Sequence, residues 1–154
     1  MKPILVFGYG NPGRGDDGLG PAFIEAVEKM ELPNVECRSD MQLQVEHVLD
    51  MQGREMVLFV DADMRCEAPF EFGEITPEKD SSYTSHAMTP QALLHSYKDV
   101  LKEQPPATFL LRIHGKTFEL GDDISSEAID HLKRALKQFT ALSLVVSPES
   151  WRSC

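Results

Sequence analysis

Three carboxylates stand where a parallel sheet would bring them together. Asp16 and Asp17 follow a glycine-rich stretch, residues 8–15, and Asp61 follows a continuous apolar run, residues 56–60. Such a glycine loop normally brings a ligand close to the backbone, so the chemical question is whether that ligand is a phosphate or a metal ion. If both preceding strands are central, Asp17 and Asp61 approach one another at the carboxyl edge of the sheet.

A histidine offers a possible third ligand. His86 lies in a polar loop, residues 83–88, that leads into a predicted helix. The other histidines are expected at the solvated surface: His47, His95, His114 and His131. Two carboxylates and one imidazole suit a divalent ion such as nickel, zinc or cobalt, and three protein ligands leave positions open for substrate or water. Asp17, Asp61 and His86 are therefore a candidate metal site.

The same loop has a competing interpretation. The spacing Gly8-x-Gly10-x-x-Gly13 fits the dinucleotide-binding fingerprint, and Asp40 could then take the ribose. In that arrangement a pyrophosphate sits at the helix N-terminus, where the two acids after the loop would repel it. A cation reverses the sign of this interaction, so the charge pattern favours a metal over a dinucleotide.

The elements that must position these residues alternate along the chain. Strands are predicted over residues 4–7, 35–38, 56–60, 69–76 and 108–113, the fourth as an edge strand. Helices are predicted over residues 17–31 and 43–51, after a cap at Thr89, and after a cap at Ser125. This order predicts a three-layer α/β/α sandwich with a mostly parallel, twisted central sheet of about five strands, of the phosphorylase/hydrolase-like kind. We expect one domain over residues 1–148 and a C-terminal tail, 149–154, ordered only in part.

Composition restricts the partners. The formal net charge is −10 and the pI is about 4.9, which disfavours nucleic acid and anionic membranes. The three cysteines have no close spacing, so a disulfide framework is not expected. No apolar run approaches the roughly 20 residues of a membrane span, and Met1 leads almost directly into a strand, so we expect no signal peptide and a cytoplasmic protein.

At several points the chain resembles the hydrogenase maturation proteases, the endopeptidases that finish the large subunit of nickel-iron hydrogenases. The matching segments are residues 8–11 with 16–20, residues 59–62, Ser85-His86, and residues 118–121. Together they span most of the chain, and they are more specific than a glycine loop alone. Where many members have a Gly-Gly-Thr segment, this chain has residues 40–46, which look like a Gln-Leu-x-x-Glu variant of part of the family.

The resemblance implies roles for individual residues. It assigns metal binding and catalysis to Asp17, Asp61 and His86, with Asp16 as a neighbouring cap. The motif register leaves Asp16 open as an alternative to Asp17, and Asp63 as an alternative to Asp61. Candidates for contact with the substrate peptide are Gly10, Asn11 and Gln42.

The resemblance also implies an activity. The family removes a C-terminal extension from the nickel-loaded large-subunit precursor, so this precursor is the expected partner. The nickel arrives with the substrate, and zinc or cadmium could substitute in vitro. The resemblance implies an aspartic-type or metal-dependent peptidase, and the sequence agrees in having neither a Gly-x-Ser-x-Gly nor a His-Glu-x-x-His motif. Two alternatives stay open: a non-catalytic metal-sensing chaperone of the hydrogenase subunit, and a small dinucleotide-binding domain.

Overall fold

A five-stranded sheet organises the residues that the computed structural model describes, 1–79 and 88–154. The strands are β1 (Ile4–Tyr9), β2 (Val35–Asp40), β3 (Met56–Asp63), β4 (Phe70–Glu74) and β5 (Ala107–His114). Their order is β2-β1-β3-β5-β4; all neighbours are parallel except β4, which runs antiparallel to β5 at the edge. The predicted sheet and its edge strand are confirmed.

Helices cover both faces of this sheet. They are α1 (Leu19–Lys29), α2 (Val48–Met51), α3 (Pro90–Leu101), α4 (Ser126–Leu142) and α5 (Pro148–Arg152). On one face, apolar side chains of β1, β3 and β5 pack against α1 and α4; on the other, the alternate side chains pack against α2 and α3. Because β3 is buried on both faces, it is apolar along most of its length. The predicted three-layer sandwich is confirmed.

Local capping chemistry sets where the helices begin. The Thr89 hydroxyl accepts the N–H of Ala92 at 3.0 Å, and Pro90 occupies the first position of α3. The Ser125 hydroxyl similarly accepts the N–H of Ala128 at 3.3 Å. Both predicted caps are confirmed.

Two of the predicted helices do not begin where the sequence analysis placed them. The cap predicted at Asp16 is wrong: residues Gly15–Gly18 form a 3₁₀ turn, and α1 begins at Leu19 without a side-chain cap. The second predicted helix is a 3₁₀ turn over Val45–His47 followed by the single turn of α2. Among the described residues, no helix has the length and apolar character needed to cross a membrane.

Trp151 anchors the C-terminal segment in the core, although we expected that segment to be ordered only in part. Trp151 of α5 is 0% exposed, and its Nε1 donates to the carbonyl of Leu142 at 3.1 Å. Its ring lies 5.2 Å from that of Phe109 and 6.2 Å from that of Phe139. Arg152 holds Glu74 of β4 through two hydrogen bonds, of 2.7 and 2.8 Å. The proposed division between residues 1–148 and 149–154 stays a prediction.

Trp151→Ala should therefore lower the free energy of unfolding by about 3–5 kcal/mol, because it removes a fully buried ring and leaves a cavity. Urea denaturation followed by circular dichroism measures this loss. Leu144→Ala is the matched control, since Leu144 is 77% exposed close to the same segment. An equally small effect of both substitutions would contradict the packing of α5.

Candidate functional site

The glycine loop folds back onto the turn that carries Asp17. Gly10 has φ +144°, and a Cβ there would lie 2.0 Å from the Asp17 carbonyl oxygen. A side chain at Gly10 is thus excluded both by backbone conformation and by space. The N–H of Asn11 donates to Asp17 Oδ2 at 2.7 Å. The loop therefore fixes the Asp17 carboxylate at the carboxyl end of β1.

Asp61 comes to the same edge from the central strand. Gly8 of β1 pairs with Val60 of β3, so Tyr9 and Asp61, one residue further along each strand, are neighbours. Both side chains line the cavity at this edge of the sheet. The chain leaves β1 towards β2 on one side and returns in β3 on the other. The site therefore lies at the switch point in strand order, where ligands of open α/β sheets bind.

The electrostatics of Asp61 depend on its burial and on neighbouring acids. Burial raises the pKa of Asp61 to about 7, and the charges of Asp17 and Asp63 act in the same direction. The Tyr9 hydroxyl and the backbone N–H of Ala62 oppose the increase in pKa. Two carboxylates whose charges act on one another favour a cation between them, because a positive charge relieves their repulsion. Asp17 and Asp61 thus fit as hard-oxygen ligands of a divalent metal.

Asp63 shares a face of β3 with Asp61 but has other partners. Its Oδ2 lies 3.3 Å from Nη1 of Arg112, and its Oδ1 accepts the N–H of Arg65 at 2.8 Å. Arg112 also binds Glu71 on the edge strand. Since Asp63 is already hydrogen-bonded to Arg112 and to the N–H of Arg65, the geometry favours Asp61 as the candidate ligand.

Asp16 is directed into the protein instead of towards Asp61. Its carboxylate is completely buried and accepts hydrogen bonds from the segment that leads from β5 to α4. The donors are the N–H of Lys116 at 2.9 Å, of Thr117 at 3.3 Å and of Ser125 at 2.7 Å, and the Ser125 hydroxyl at 2.9 Å. We call this arrangement the Asp16 latch. It gives Asp16 a structural role, so Asp17 is the acid of the pair that stands near Asp61.

The third candidate ligand falls outside the described residues. His86 belongs to residues 80–87, so its assignment stays a prediction. Within residues 1–79 and 88–154, no group of three His, Cys, Asp or Glu side chains could hold a metal ion.

A cavity of about 920 Å³ opens beside Asp61. Its lining combines the polar groups Tyr9, Asp61 and Arg112 with side chains of β4, β5 and the start of α3. Of the three residues predicted to contact a substrate, Gly10 is buried, Asn11 is half-buried and Gln42 is exposed. The described lining of the cavity contains none of the three, and their contact with substrate stays a prediction.

Sequence reasoning missed Tyr9 and Arg112 as members of this site. Tyr9 continues the alternation of Leu5 and Phe7 along one face of β1, so the period of two could have placed it beside Asp61. Arg112 interrupts an otherwise apolar strand, which marks a charge that needs a partner.

Some histidines are less exposed than predicted. The His47 side chain is only 11% exposed, its Nδ1 accepts the N–H of Gln44 at 2.9 Å, and its Nε2 lies 3.3 Å from Asp40 Oδ2. His114 is half-buried, with Nδ1 2.9 Å from the carbonyl oxygen of Cys66. The surface prediction is wrong for His47, and it overlooked the backbone contact of His114.

These contacts also weigh against the dinucleotide interpretation. The N–H of Asn11, which a phosphate would use in such a loop, already donates to Asp17. Asp40, the candidate for the ribose, is beside His47. The donor and the acceptor that this interpretation needs are both engaged within the chain.

Asp16→Asn should destabilise the fold by about 2–4 kcal/mol at neutral pH, because hydrogen bonds to a buried charged group are lost and their donors stay buried. Chemical denaturation measures the difference. Asp123→Asn, an exposed acid in the same segment, is the control and should change little. Parent-like stability of Asp16→Asn would contradict the latch.

The stability difference between the parent protein and Asp16→Asn should also depend on pH. Burial by itself would raise the pKa of Asp16, but the donors from Lys116, Ser125 and Thr117 outweigh it and hold that pKa below its ordinary value. An aspartate whose pKa is lower in the folded than in the unfolded state stabilises the protein at any pH above its unfolded-state pKa, which is about 3.9. This stabilisation is lost as the pH falls through the folded-state pKa. Denaturation between pH 7 and pH 3 should thus show the difference shrinking in acid; a constant difference would contradict this prediction.

Solved hydrogenase maturation proteases have this arrangement of strands and helices. HycI, a NiFe hydrogenase maturation protease from Thermococcus kodakarensis KOD1, matches with a TM-score of 0.70 and 20% identity, covering 94% of this chain and 94% of that chain. HybD, the hydrogenase maturating endopeptidase from E. coli, matches with a TM-score of 0.70 and 21% identity, covering 92% of this chain and 91% of that chain. A hydrogenase 2 maturation peptidase from a Thaumarchaeota archaeon matches with a TM-score of 0.67 and 22% identity, covering 94% of this chain and 100% of that chain.

Sequence comparison adds no further assignment. No protein-family model matches the chain, and no curated protein is significantly similar to it. The likeness to solved structures therefore concerns the fold, and at that level it confirms the resemblance seen in the motifs. The chain has the fold of the hydrogenase maturation proteases over more than nine tenths of its length.

Proposed function

We propose that this chain is a hydrogenase maturation protease, an endopeptidase that removes the C-terminal extension of a nickel-loaded large-subunit precursor. One observation carries the proposal: Asp17 and Asp61 converge at the switch point of a fold shared with such proteases, and their like charges favour a cation between them. The motifs at residues 8–20 and 59–62 add support from sequence. The dinucleotide-binding alternative lacks comparable geometric support, because the N–H of Asn11 and the carboxylate of Asp40 are engaged within the chain. A metal-sensing chaperone would use the same two acids and would differ only in leaving the precursor uncut.

In this proposal the metal is part of the substrate. Asp17, Asp61 and His86 bind the nickel that the precursor carries, and zinc or cadmium can take its place in vitro. Nickel would supply Lewis-acid chemistry, by polarising a carbonyl or activating water. The protein's own contribution is to place the two carboxylates: the N–H of Asn11 holds Asp17, and the register of β1 and β3 brings Asp61 to the same edge of the sheet. A protease with this arrangement cleaves only a precursor whose nickel has been inserted.

The cavity next to Asp61 provides a place for the peptide that is to be cut. Apolar side chains line it: Phe72, Ile75, Met88 and Leu110. An extended segment entering this cavity would run past Arg112 towards Asp61, with Asn11 and Gln42 as further candidate contacts. The protein partner is the large-subunit precursor, and the acidic charge of the chain argues against nucleic acid and anionic membranes. We place the reaction in the cytoplasm.

Asp17→Asn and Asp61→Asn should each lower cleavage of a nickel-loaded precursor by at least about 100-fold, because the removal of a charged ligand weakens metal binding and catalysis together. His86→Ala should do the same. Cleavage is followed as a decrease in precursor length on a gel or by mass spectrometry. Asp99→Asn, which alters an exposed acid on α3 beside His95, is the control and should cleave normally.

Nickel dependence separates the proposal from its alternatives. The parent protein should leave a nickel-free precursor uncut. Tight binding to the precursor without any cleavage would favour a chaperone instead. Normal cleavage by the Asp17, Asp61 and His86 variants would overturn the assignment of the site.

A further inference from the structure

Strand β4 is the last strand on its side of the sheet, so one of its two sides is paired and the other is open. Two hydrogen bonds fix which residues face β5. The N–H of Ile75 donates to the carbonyl of Thr108 at 2.9 Å, and the N–H of His114 donates to the carbonyl of Pro69 at 3.0 Å. Because pairing alternates along an antiparallel strand, the odd-numbered residues of β4 face β5 and the even-numbered residues face away from it. We call the backbone N–H and carbonyl groups that face away the outer edge of β4; they belong to Phe70, Phe72 and Glu74.

The outer edge of β4 is available for pairing. No backbone group within residues 1–79 or 88–154 hydrogen-bonds to it. Folded proteins often block such edges with lysine or proline, and β4 contains neither. An unblocked edge is a template on which an extended peptide can add as a further strand, through hydrogen bonds of its own backbone.

The cavity beside Asp61 extends to β4. Its lining includes residues 71–75 in unbroken succession. Side chains alternate between the two faces of a strand, and the ring of Phe72 lies on the other face, stacked on Phe109 with 5.6 Å between ring centroids. Successive residues therefore all border the cavity because it reaches the backbone of the strand. The cavity thus joins the candidate metal site to β4.

Gly73 leaves space on the cavity face of β4. A Cβ at Gly73 would have no heavy atom of the described residues within 4 Å, apart from its own chain neighbours. Its neighbour across β5 is Leu110, and both Leu110 and Ile75 pack with the apolar cluster of this face. Residues opposite one another in paired strands share a face. A peptide residue opposite Gly73 would therefore place its side chain in this space, where an apolar side chain is favoured.

We propose that the C-terminal peptide of the precursor binds as an additional strand on the outer edge of β4, with an apolar side chain opposite Gly73. This inference rests on the proposed function, because it takes a peptide that is cut near Asp61 as the occupant of the edge. It adds to that function the surface that holds the peptide.

The register of the sheet gives the path from this edge to the metal site. Asp61 is paired with Arg112, and Arg112 with Glu71, so the three side chains share the face along which the cavity runs. A strand added outside β4 lies three strand spacings from β3, about 14 Å, which about four extended residues span. The bond to be cut is therefore about four residues from the segment that pairs with β4.

The test removes one outward N–H. Glu74→Pro deletes this donor without deleting a hydrogen bond to β5, and proline is tolerated at such a position of an edge strand. Glu74→Ala is the comparison variant, because it removes the same side chain, with its ion pair to Arg152, but keeps the N–H. Steady-state cleavage of the nickel-loaded precursor should give Glu74→Pro a KM about 10-fold above that of Glu74→Ala, because a hydrogen bond to the peptide is lost. The two kcat values should be similar.

The opposite edge of the sheet supplies a matched control. The N–H of Gly10 donates to the carbonyl of Asp40 at 3.2 Å, so the backbone groups of the preceding residue, Ser39, point away from β1. Ser39→Pro thus makes the same backbone change on β2, and its KM should equal that of the parent protein. An increase in KM as large as that of Glu74→Pro would overturn the assignment to β4.

Gly73→Leu tests the space above the strand without altering any N–H. The leucine side chain would occupy the place of the peptide side chain, so KM should rise about 10-fold. The free energy of unfolding should not fall, because glycine weakens a strand; urea denaturation measures it. A parent-like KM would overturn the proposed position of the peptide side chain.

Hydrogen–deuterium exchange with residue resolution reports the pairing directly. The probe is the nickel-free precursor, which the parent protein should leave uncut. Its addition should slow exchange at the N–H groups of Phe72 and Glu74, and should change little at Gly73, whose N–H already faces β5. Unchanged exchange at Phe72 and Glu74 would overturn the proposal. Slower exchange there when the concentration of the protein alone is raised would show that a second copy occupies the edge, and would overturn it as well.

These measurements keep the two proposals separate. If the parent protein cleaves the nickel-loaded precursor while Glu74→Pro and Glu74→Ala have the same KM, the docking edge is overturned and the proposed function stands. If the precursor slows exchange at Phe72 and Glu74 but is never cut, the docking edge stands and the proposed cleavage is overturned.

Discussion

The arrangement of the site depends on the buried carboxylate of Asp16. Four hydrogen bonds from residues 116–125 converge on it, which ties the loop after β1 to the segment before α4, about a hundred residues later in the chain. Gly115 permits this contact, since a Cβ there would lie 2.7 Å from Asp16 Cβ. Because Asp17 is the next residue, the latch also sets the direction in which the Asp17 carboxylate leaves the backbone.

Asp16 and Asp61, both withdrawn from solvent, differ in how their burial is compensated. Asp16 gains hydrogen bonds that compensate its burial, and its pKa is lowered. Asp61, across the sheet edge, gains less compensation for its burial and stands near the charge of Asp17, so its pKa rises to about 7. The charges of Asp17 and Asp61 oppose one another, and in the proposed function a bound cation would relieve that repulsion.

The sequence predicted the layers, the sheet and two helix caps because each depends on local periodicity or on a single side chain. Thr89 and Ser125 illustrate this, since each hydroxyl caps the helix that follows it. The role of Asp16 could not be predicted in the same way, because its donors lie about a hundred residues away. Trp151 was misjudged for a related reason: its burial depends on a space between β4, β5 and α4 that no local pattern describes.

The position of the candidate site could be predicted from the sequence only as well as the ends of the strands could be. Asp17 and Asp61 each follow an apolar strand, and the parallel arrangement of β1 and β3 brings such ends together. The choice between Asp16 and Asp17, and between Asp61 and Asp63, depends on the partner of each carboxylate, which only the assembled fold supplies. Asp16 is hydrogen-bonded in the latch and Asp63 is hydrogen-bonded to Arg112, which leaves Asp17 and Asp61 as the two acids whose charges a cation could offset.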